Sequence, residues 1–417
     1  MPEHGIHRTT DSNRTSTPGA GVSRRHVLAT IGVSTGTTLG LIGSVRADDH
    51  EATVWEDGGT WYADNAGDPV YDGPSMRAAI QAGVDSLSDG RTGMETVVVM
   101  DSGTFGPTDS LEAVDLPSYT ELDLRGTIYV EDTGEDLVVP IRARSAESIA
   151  VPGLQIEGNP RYGVWIQSCS DVFLGQIGMD LSETTDLGLG IRIDDADGGR
   201  STNVTLESAT IAGSAHHAVE TYGVDGLDIG TVETFDTGGC GLLLNDTADA
   251  TVDSVDAFRA DAGGGYAAFR FANGAGPNIH VGEVTSVESG RGVFGVSGSH
   301  GVTVENLDVY ESSQHGVLIQ DCQDVLVDGG LVRNNGAEGV RIDSRDDGEH
   351  HPAEDVTVQN LRVVDDRDDP QQPYGIRETG PDTSDNEILD NDVRDGGTTA
   401  ELEVYSSSTV VDGNITS

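Results

Sequence analysis

Gly163-Val-Trp-Ile-Gln-Ser-Cys-Ser-Asp-Val-Phe-Leu174 and Gly316-Val-Leu-Ile-Gln-Asp-Cys-Gln-Asp-Val-Leu-Val327 are near copies of each other. Each opens on a glycine, alternates apolar and polar side chains, turns through Ser, Asp, Gln and Cys, and alternates again. That is the pattern of two half-buried strands joined by a short turn. Working outward, the opening phrase returns as GIRID (Gly190 to Asp194), AVETY (Ala218 to Tyr222) and GLLLN (Gly241 to Asn245). It continues as AAFRF (Ala267 to Phe271), GVFGV (Gly292 to Val296), GVRID (Gly339 to Asp343) and GIRET (Gly375 to Thr379). Successive copies begin roughly 23 to 36 residues apart, the period of a solenoid array. The second strand recurs from Val172, Val204, Leu227, Ile279, Val302, Val325 and Val356.

A unit with two or three short strands, Gly/Asp/Ser/Asn turns and no helical period predicts one coil of a right-handed parallel β-helix. No coil buries its Val, Ile and Leu side chains alone, so stacking the coils makes the core. Ahead of the repeats, Gly73 to Leu87 carries apolar residues at helical spacing, with Ser75 placed to cap the N-terminus. Thr96 to Met100 reads as a strand and Gly103-Thr-Phe105 as a turn. The expected order is an N-terminal cap region over residues 48–100, then coils over residues 101–417, in a single all-β domain.

Residues 1–47 read as an export signal. Arg24 and Arg25 precede a weakly apolar run from Val27 to Val45, and Ala47 offers a small residue for cleavage. The arginine pair is similar to the twin-arginine signal of proteins exported after folding, so a secreted protein with no stable membrane anchor is expected. The three cysteines are expected to be free. In the repeat alignment Cys169 and Cys322 lie six coils apart, about 29 Å at a strand spacing near 4.8 Å, beyond the reach of a disulfide.

Of 417 residues, 72 are acidic and 23 basic, for a net charge of −49, and every basic residue is arginine. Nucleic acid is excluded as a partner, since phosphate binding needs a basic face. Carboxylates spread over every turn fit life at very high salt, where screening shortens the Debye length to about 3 Å or less.

The layout, and phrases such as GNPRYGVWIQ, HAVETYGVDGLDIGTV, GGGYAAFRFANG and SGRGVFGVSGS, resemble the pectate-lyase-like superfamily of secreted, carbohydrate-active β-helix proteins. The resemblance spans nearly all of residues 48–417 and implies glycan processing. Its specific signatures are not matched: Ser299-His300-Gly301 and Gln314-His315-Gly316 only loosely echo the Gly-His-Gly of polygalacturonases. The Arg-x-Pro-x-x-Arg motif of calcium-dependent pectate lyases is absent. Function therefore has to come from the site residues.

In the repeated strand the second and fourth positions point inward, leaving the third and fifth to solvent; AAFRF fits best with Ala267 and Phe269 inward, which puts Arg270 outside, in the fifth-position column with Asn245. The expected outward columns bring together Arg192, Asp194, Glu220, Tyr222, Asn245 and Arg270, with Trp165 one coil before them. His216 and His217 precede these strands; Asp246 and Asn273 follow them. Glu220, Tyr222, Arg270, Arg192 and His217 are the candidate catalytic residues. Trp165, Asp194, Asn245, Asp246 and Asn273 are candidates for substrate binding.

Aromatic platforms suit sugars, forked arginine donors suit uronate carboxylates, and proton abstraction beside a carboxylate needs a base and nearby positive charge. The leading expectation is a polysaccharide lyase on a uronate-containing glycan. A glycoside hydrolase pairing Glu220 with Asp194 or Asp246 is the alternative, and a non-catalytic glycan-binding or structural β-helix the rival class. No cofactor is fixed by these residues. Calcium is the ion left open, from the carboxylates of Asp194 to Asp197 and of Asp346 to His351. Loops over Ser344 to Pro352 and Asp365 to Pro373 are expected on one side of the solenoid, where they would wall a groove.

Overall fold

A computed structural model describes residues 50–181, 188–196, 198–345 and 348–417. The export signal, Asp197 and Asp346 lie outside the described residues.

The coils stack as expected, every strand of the array pairing in parallel with its counterpart one coil on. One stack runs through Val138–Arg144, Val164–Gln167, Ile191–Asp194, the start of Val219–Phe235, the start of Leu242–Phe258, Ala267–Ala272, Arg291–Val296 and Val317–Gln320. The second stack includes Ser170–Leu181, Ser201–Ala212, Ile279–Val287, His300–Tyr310, Gln323–Arg333 and Glu354–Val364. Long strands such as Ser170–Leu181 bend and so form two walls, sending Val172, Leu174, Ile177 and Met179 into the same core. The corner before the second stack is left-handed at Asp171, Asn203, Asp249, Asn278, Asp324 and Asp355. Asp and Asn tolerate this conformation better than other side chains, which is why they recur in the turns. Within the tube, Ile166, Ile193, Leu244, Phe271 and Ile319 are fully enclosed. Truncating one of them to alanine should cost about 2–5 kcal/mol.

The start of the chain holds an element that the sequence reading lacks. Strands β1 (Ala52–Asp57), β2 (Thr60–Asn65) and β3 (Asp68–Gly73) form an antiparallel meander, turned between β1 and β2 by Gly58 and Gly59 at positive φ. Helix α1 (Met76–Asp85) follows, and the Ser75 hydroxyl accepts the Ala78 amide at 3.2 Å, as its capping role requires. Helix α1 buries Met76, Ala79, Ile80, Gly83 and Val84, and a Cβ at Gly83 would lie 3.2 Å from both Val54 and Val97. Strand β1 pairs in parallel with β4 (Glu95–Val99), so the meander supplies the first rung of the solenoid and α1 covers its core. No helix among the described residues is long and apolar enough to cross a membrane.

Two expectations about the outward face need correction. In the third-position column Glu220 is buried at 6% exposure, and in the fifth Gln167, Asp194 and Asn245 are buried rather than solvent-facing, Asp194 to 2%. These last three sit where each short strand meets its corner, and side chains of adjacent coils fold over them. Arg270 does point outward, but two residues out of the expected register. It pairs with Leu243 and Phe294 in the third-position column, and Ala272 aligns with Asn245. The cause is the core: with Phe269 opposite Leu242 and Phe271 opposite Leu244, both rings are enclosed, their centroids 5.7 Å apart. The two long loops also differ from expectation. One follows Val340–Asp343 and the other precedes Tyr374–Glu378, so they flank this stack from opposite edges. The cysteines are buried, and no disulfide joins them among the described residues, as expected.

Candidate active site

The third-position column reads, coil by coil, Trp165, Arg192, Glu220, Leu243, Arg270, Phe294, Leu318 and Arg341. Its first part is a tight ionic knot. Arg192 donates Nε to Asp194 and Nη1 to Glu220, both at 2.7 Å. Asp194 also accepts Trp165 Nε1 at 3.0 Å, Gln167 Nε2 at 3.2 Å and the Ala196 amide at 3.1 Å. Burial alone would raise the Asp194 pKa, yet the bonds from Arg192, Trp165 and Ala196 outweigh it and hold the carboxyl below its usual value. Asp194 therefore has no coordination sites left to offer a cation, which removes it from the expected calcium set.

Two phenols enclose the Arg192 guanidinium, Tyr222 at 4.5 Å and Tyr162 at 5.6 Å from ring centroid to Cζ. Burial and the Glu220 charge push the Tyr222 hydroxyl up to about 12. At neutral pH Tyr222 is a phenol, equipped to give a proton and not to take one. Trp165 is less open than a sugar platform requires: Arg161 lies 5.0 Å over its ring and Tyr162 packs 5.2 Å from it.

At the edge where each strand begins, His216, His217 and Tyr266 form an aromatic group. The histidine rings are 3.9 Å apart, and Tyr266 meets them edge-on at 5.3 and 4.9 Å. His217 is buried. Burial, then the nearby His216, Arg270 and Arg192, depress its pKa to about 2, so it is uncharged. His216 keeps an exposed outer edge. Burial, with the nearby Arg270 charge, lowers its pKa from 6.5, opposed by Glu220 and Asp261. Ligand atoms of His216, His217 and Glu220 lie within 4.8 Å of one another, the composition of a metal triad. Two observations oppose a cation there. Glu220 is already paired with Arg192, and His217 Nδ1 already accepts the Cys240 amide at 2.8 Å.

Beyond the histidines lie two arginines that touch no carboxylate among the described residues. Arg270 is stacked between Tyr266 at 5.3 Å and Phe294 at 4.9 Å, and its buried Nε has no hydrogen-bond partner. Arg291 also lies over the Phe294 ring, 4.6 Å from its centroid, and donates to the Gly265 carbonyl, to Gln314 Oε1 and, at 3.3 Å, to His315 Nδ1. Burial and repulsion from Arg270 pull the Arg291 pKa down to about 10. The Asp261 carboxylate opposes that shift in part, but among the described residues neither arginine has a carboxylate within ion-pair distance, which is unusual in a chain with 72 acidic residues.

The structure thus brings together Arg192, Asp194, Glu220 and Tyr222, with His217 and Arg270 close by. Trp165 reaches the same knot through Asp194, and Asn245 aligns with Tyr222 one coil on, whereas Asp246 and Asn273 lie outside it. Asp246 lies past the far end of its strand, paired with Arg200 at 2.9 Å, and Asn273 donates to Asn245 at 2.8 Å. Tyr162, Tyr266, Arg291 and Gln314 are additions to the sequence reading. Several of them could have been found there: the residue just before each repeated phrase forms a further column through Tyr162, His217, Arg291, His315 and Glu338.

No family model matches the chain, and no curated protein matches its sequence. Solved structures do match in shape. The A-module of mannuronan C-5 epimerase AlgE4 from Azotobacter vinelandii superposes with a TM-score of 0.59 at 16% identity, covering 81% of this chain and 96% of the module. The AlgE6 A-module from the same organism gives 0.53 at 16% identity, covering 82% and 95%. A tailspike protein double mutant of E. coli bacteriophage HK620, in complex with pentasaccharide, gives 0.55 at 13% identity, covering 85% of this chain and 65% of the tailspike. At these identities the likeness is one of fold: the chain is a right-handed parallel β-helix similar in shape to proteins that handle polysaccharides.

Proposed function

We propose that this protein is an enzyme acting on uronate-containing polysaccharide by abstracting the proton at C-5, next to the sugar carboxylate. The observation that carries this reading is Arg270. Held between two aromatic rings, with a buried Nε lacking an acceptor and a second arginine nearby, it is suited to clamp a carboxylate. His216, uncharged and partly open to solvent, is the base. Tyr222, a phenol at neutral pH, is the acid. Arg192 and Glu220 neutralise each other and position the Tyr222 ring.

In the lyase outcome the base takes the C-5 proton and the C–H electron pair becomes the C4=C5 double bond. The C4–O bond then breaks, and the leaving oxygen receives the acid's proton. In the epimerase outcome, the reaction named for the two Azotobacter modules, the same carbanion is reprotonated at C-5 from the opposite face. Both share the first step, and the fold-level likeness to the modules makes the second outcome worth assaying.

A hydrolase needs two carboxylates across the bond, one of them free to protonate the leaving group. Asp194 is saturated with donors, and Asp246 is paired with Arg200, so Glu220 has neither expected partner. A purely structural β-helix would have no use for these arginines, whereas a glycan-binding one would share them and differ in leaving the polymer unchanged. The test is incubation of the purified protein, in concentrated salt, with polymannuronate, polyguluronate and polygalacturonate. Unsaturated ends or C-5 inversion are expected with one of them. Saturated reducing ends alone would contradict the reading.

A further inference from the structure

The His217 imidazole is held in a way that fixes what it is able to do. Gly238, Gly239 and Cys240, from the next coil, run against it. A Cβ at Gly239 would lie 2.7 Å from His217 Nδ1 and 2.9 Å from backbone atoms of both histidines, so only glycine allows the approach. That closeness brings the Cys240 amide to Nδ1, donating at 2.8 Å. A backbone N–H cannot accept, so Nδ1 holds the lone pair, and the single proton of the neutral ring sits on Nε2. Burial beside Arg270 and Arg192 keeps the ring neutral. Among the described residues Nε2 has no hydrogen-bond partner, and it is not one of the sealed polar atoms. It is a donor lacking an acceptor, close to an arginine in the same condition.

We propose that His217 is a fixed hydrogen-bond donor, locked by the Cys240 amide as the Nε2–H tautomer, and that this N–H takes one carboxylate oxygen of a bound uronate alongside Arg270. The ligand half of this inference rests on the C-5 chemistry proposed above, whereas the tautomer rests on geometry alone. As the C-5 proton leaves, its electron pair spreads into the carboxylate, and negative charge builds on those oxygens. A neutral donor aimed there stabilises that charge while keeping its own proton, a use of imidazole that depends on a depressed pKa. The same arrangement removes His217 from two other roles. It cannot serve as the base, because its lone pair is committed to Cys240. Nor does it suit a metal at Nε2, since a ligating imidazole donates its other N–H outward and here that nitrogen is an acceptor.

The test is long-range proton–nitrogen NMR of the whole protein labelled with nitrogen-15 at histidine, with His217→Gln used to assign the signal. Across pH 5 to 9, His217 should keep a protonated Nε2 and a bare Nδ1, and adding tetramannuronate or tetragalacturonate should shift the Nε2–H. A ring that titrates in this range, or that carries its proton on Nδ1, would overturn the proposal. So would an unmoved Nε2–H in a sample where the oligomer binds and Arg270→Ala weakens the binding; that outcome leaves the C-5 reading standing. If no uronate oligomer binds at all, the donor role and the C-5 reading fall together, and only the tautomer survives. In turnover, His217→Ala should cost about 100- to 1,000-fold in kcat. His217→Gln, whose amide can reach the place of Nε2–H, should recover part of it with an unchanged pH profile. Equal losses in both variants, with the fold retained by circular dichroism, would argue for a packing role instead.

Discussion

Two groups of arginines lie on the same face of this β-helix, a few coils apart, and they are built to opposite rules. Downstream, Arg341 and Arg377 sit on neighbouring strands among Glu338, Asp343 and Glu403. Arg377 pairs with Glu338 at 3.3 Å and with Glu403 at 2.9 Å, and Arg341 reaches Asp343 at 3.2 Å. Even the histidine there, His315, meets Glu338 at 3.2 Å. Upstream, Arg270 and Arg291 meet aromatic rings, carbonyls and neutral side chains, with no carboxylate within ion-pair distance among the described residues; His216 and His217 beside them are uncharged at neutral pH, and His315 links Arg291 to the downstream ladder. Downstream, each guanidinium meets a carboxylate, although the buried Nε of Arg341, like that of Arg270, has no hydrogen-bond partner among the described residues. Upstream, under the function proposed above, the carboxylate comes from the substrate. Clustering of arginines therefore says little about binding; what distinguishes the two regions is whether the charges are already answered.

The sharpest way to break this comparison is to truncate one arginine from each region. Arg270→Ala should lower kcat/KM on a uronate substrate by about 100- to 1,000-fold, the scale of losing one preorganised charge stabiliser. Arg341→Ala should leave turnover within about twofold. Equal effects, measured by steady-state kinetics, would erase the distinction.

The downstream ladder should instead show in stability. Burial would raise the Glu338 carboxyl, but bonds and charges from His315 and Arg341 bring it down from 4.5 to about 2. A depressed carboxylate stabilises the fold fully above its unfolded pKa, and that contribution is lost as pH falls through about 2. Glu338→Gln should therefore cost about 3 kcal/mol at neutral pH and almost nothing near pH 2. Chemical denaturation at the two pH values checks this, and a pH-independent loss would contradict it.

A smaller effect is expected from Glu220→Gln. If Glu220 only answers Arg192, the change should cost about tenfold in kcat, comparable to a partly buried pair. Complete loss would restore the hydrolase. The mildest prediction is the pH profile. Because His216 must be deprotonated, activity should fall only as pH drops below 6.5. Because the Tyr222 hydroxyl is raised to about 12, no alkaline loss should appear at pH 9 or 10. A basic limb at pH 8 would remove Tyr222 from the acid role.

How much of this was legible in the sequence follows from where each determinant lies. The β-helix was readable because GVWIQ and GVLIQ repeat a whole coil, strand and turn together, and stacking multiplies that signal. Helix α1 was readable because Ser75 and the apolar spacing after it are local. The meander β1–β3 was not read, although ATVWED and TWYADN alternate around a Gly-Gly turn, because it occurs once and shares no phrase with the coils. Arg270 was placed outward correctly but in the wrong register, since the flanking alanines fit either frame and only packing of Phe269 and Phe271 decides between them. The state of His217 was out of reach: its proton is set by an amide 23 positions later, brought into contact by Gly239.

The central claim is that the upstream arginine group serves proton abstraction at C-5 of a uronate. Its most direct test is to run the reaction in heavy water, in concentrated salt, on a defined uronate oligomer and to follow C-5 by NMR. The account predicts either deuterium at C-5 or a C4=C5 double bond in the product, and neither with Arg270→Ala. Cleavage with every C-5 hydrogen retained, or unchanged exchange in Arg270→Ala, would contradict it.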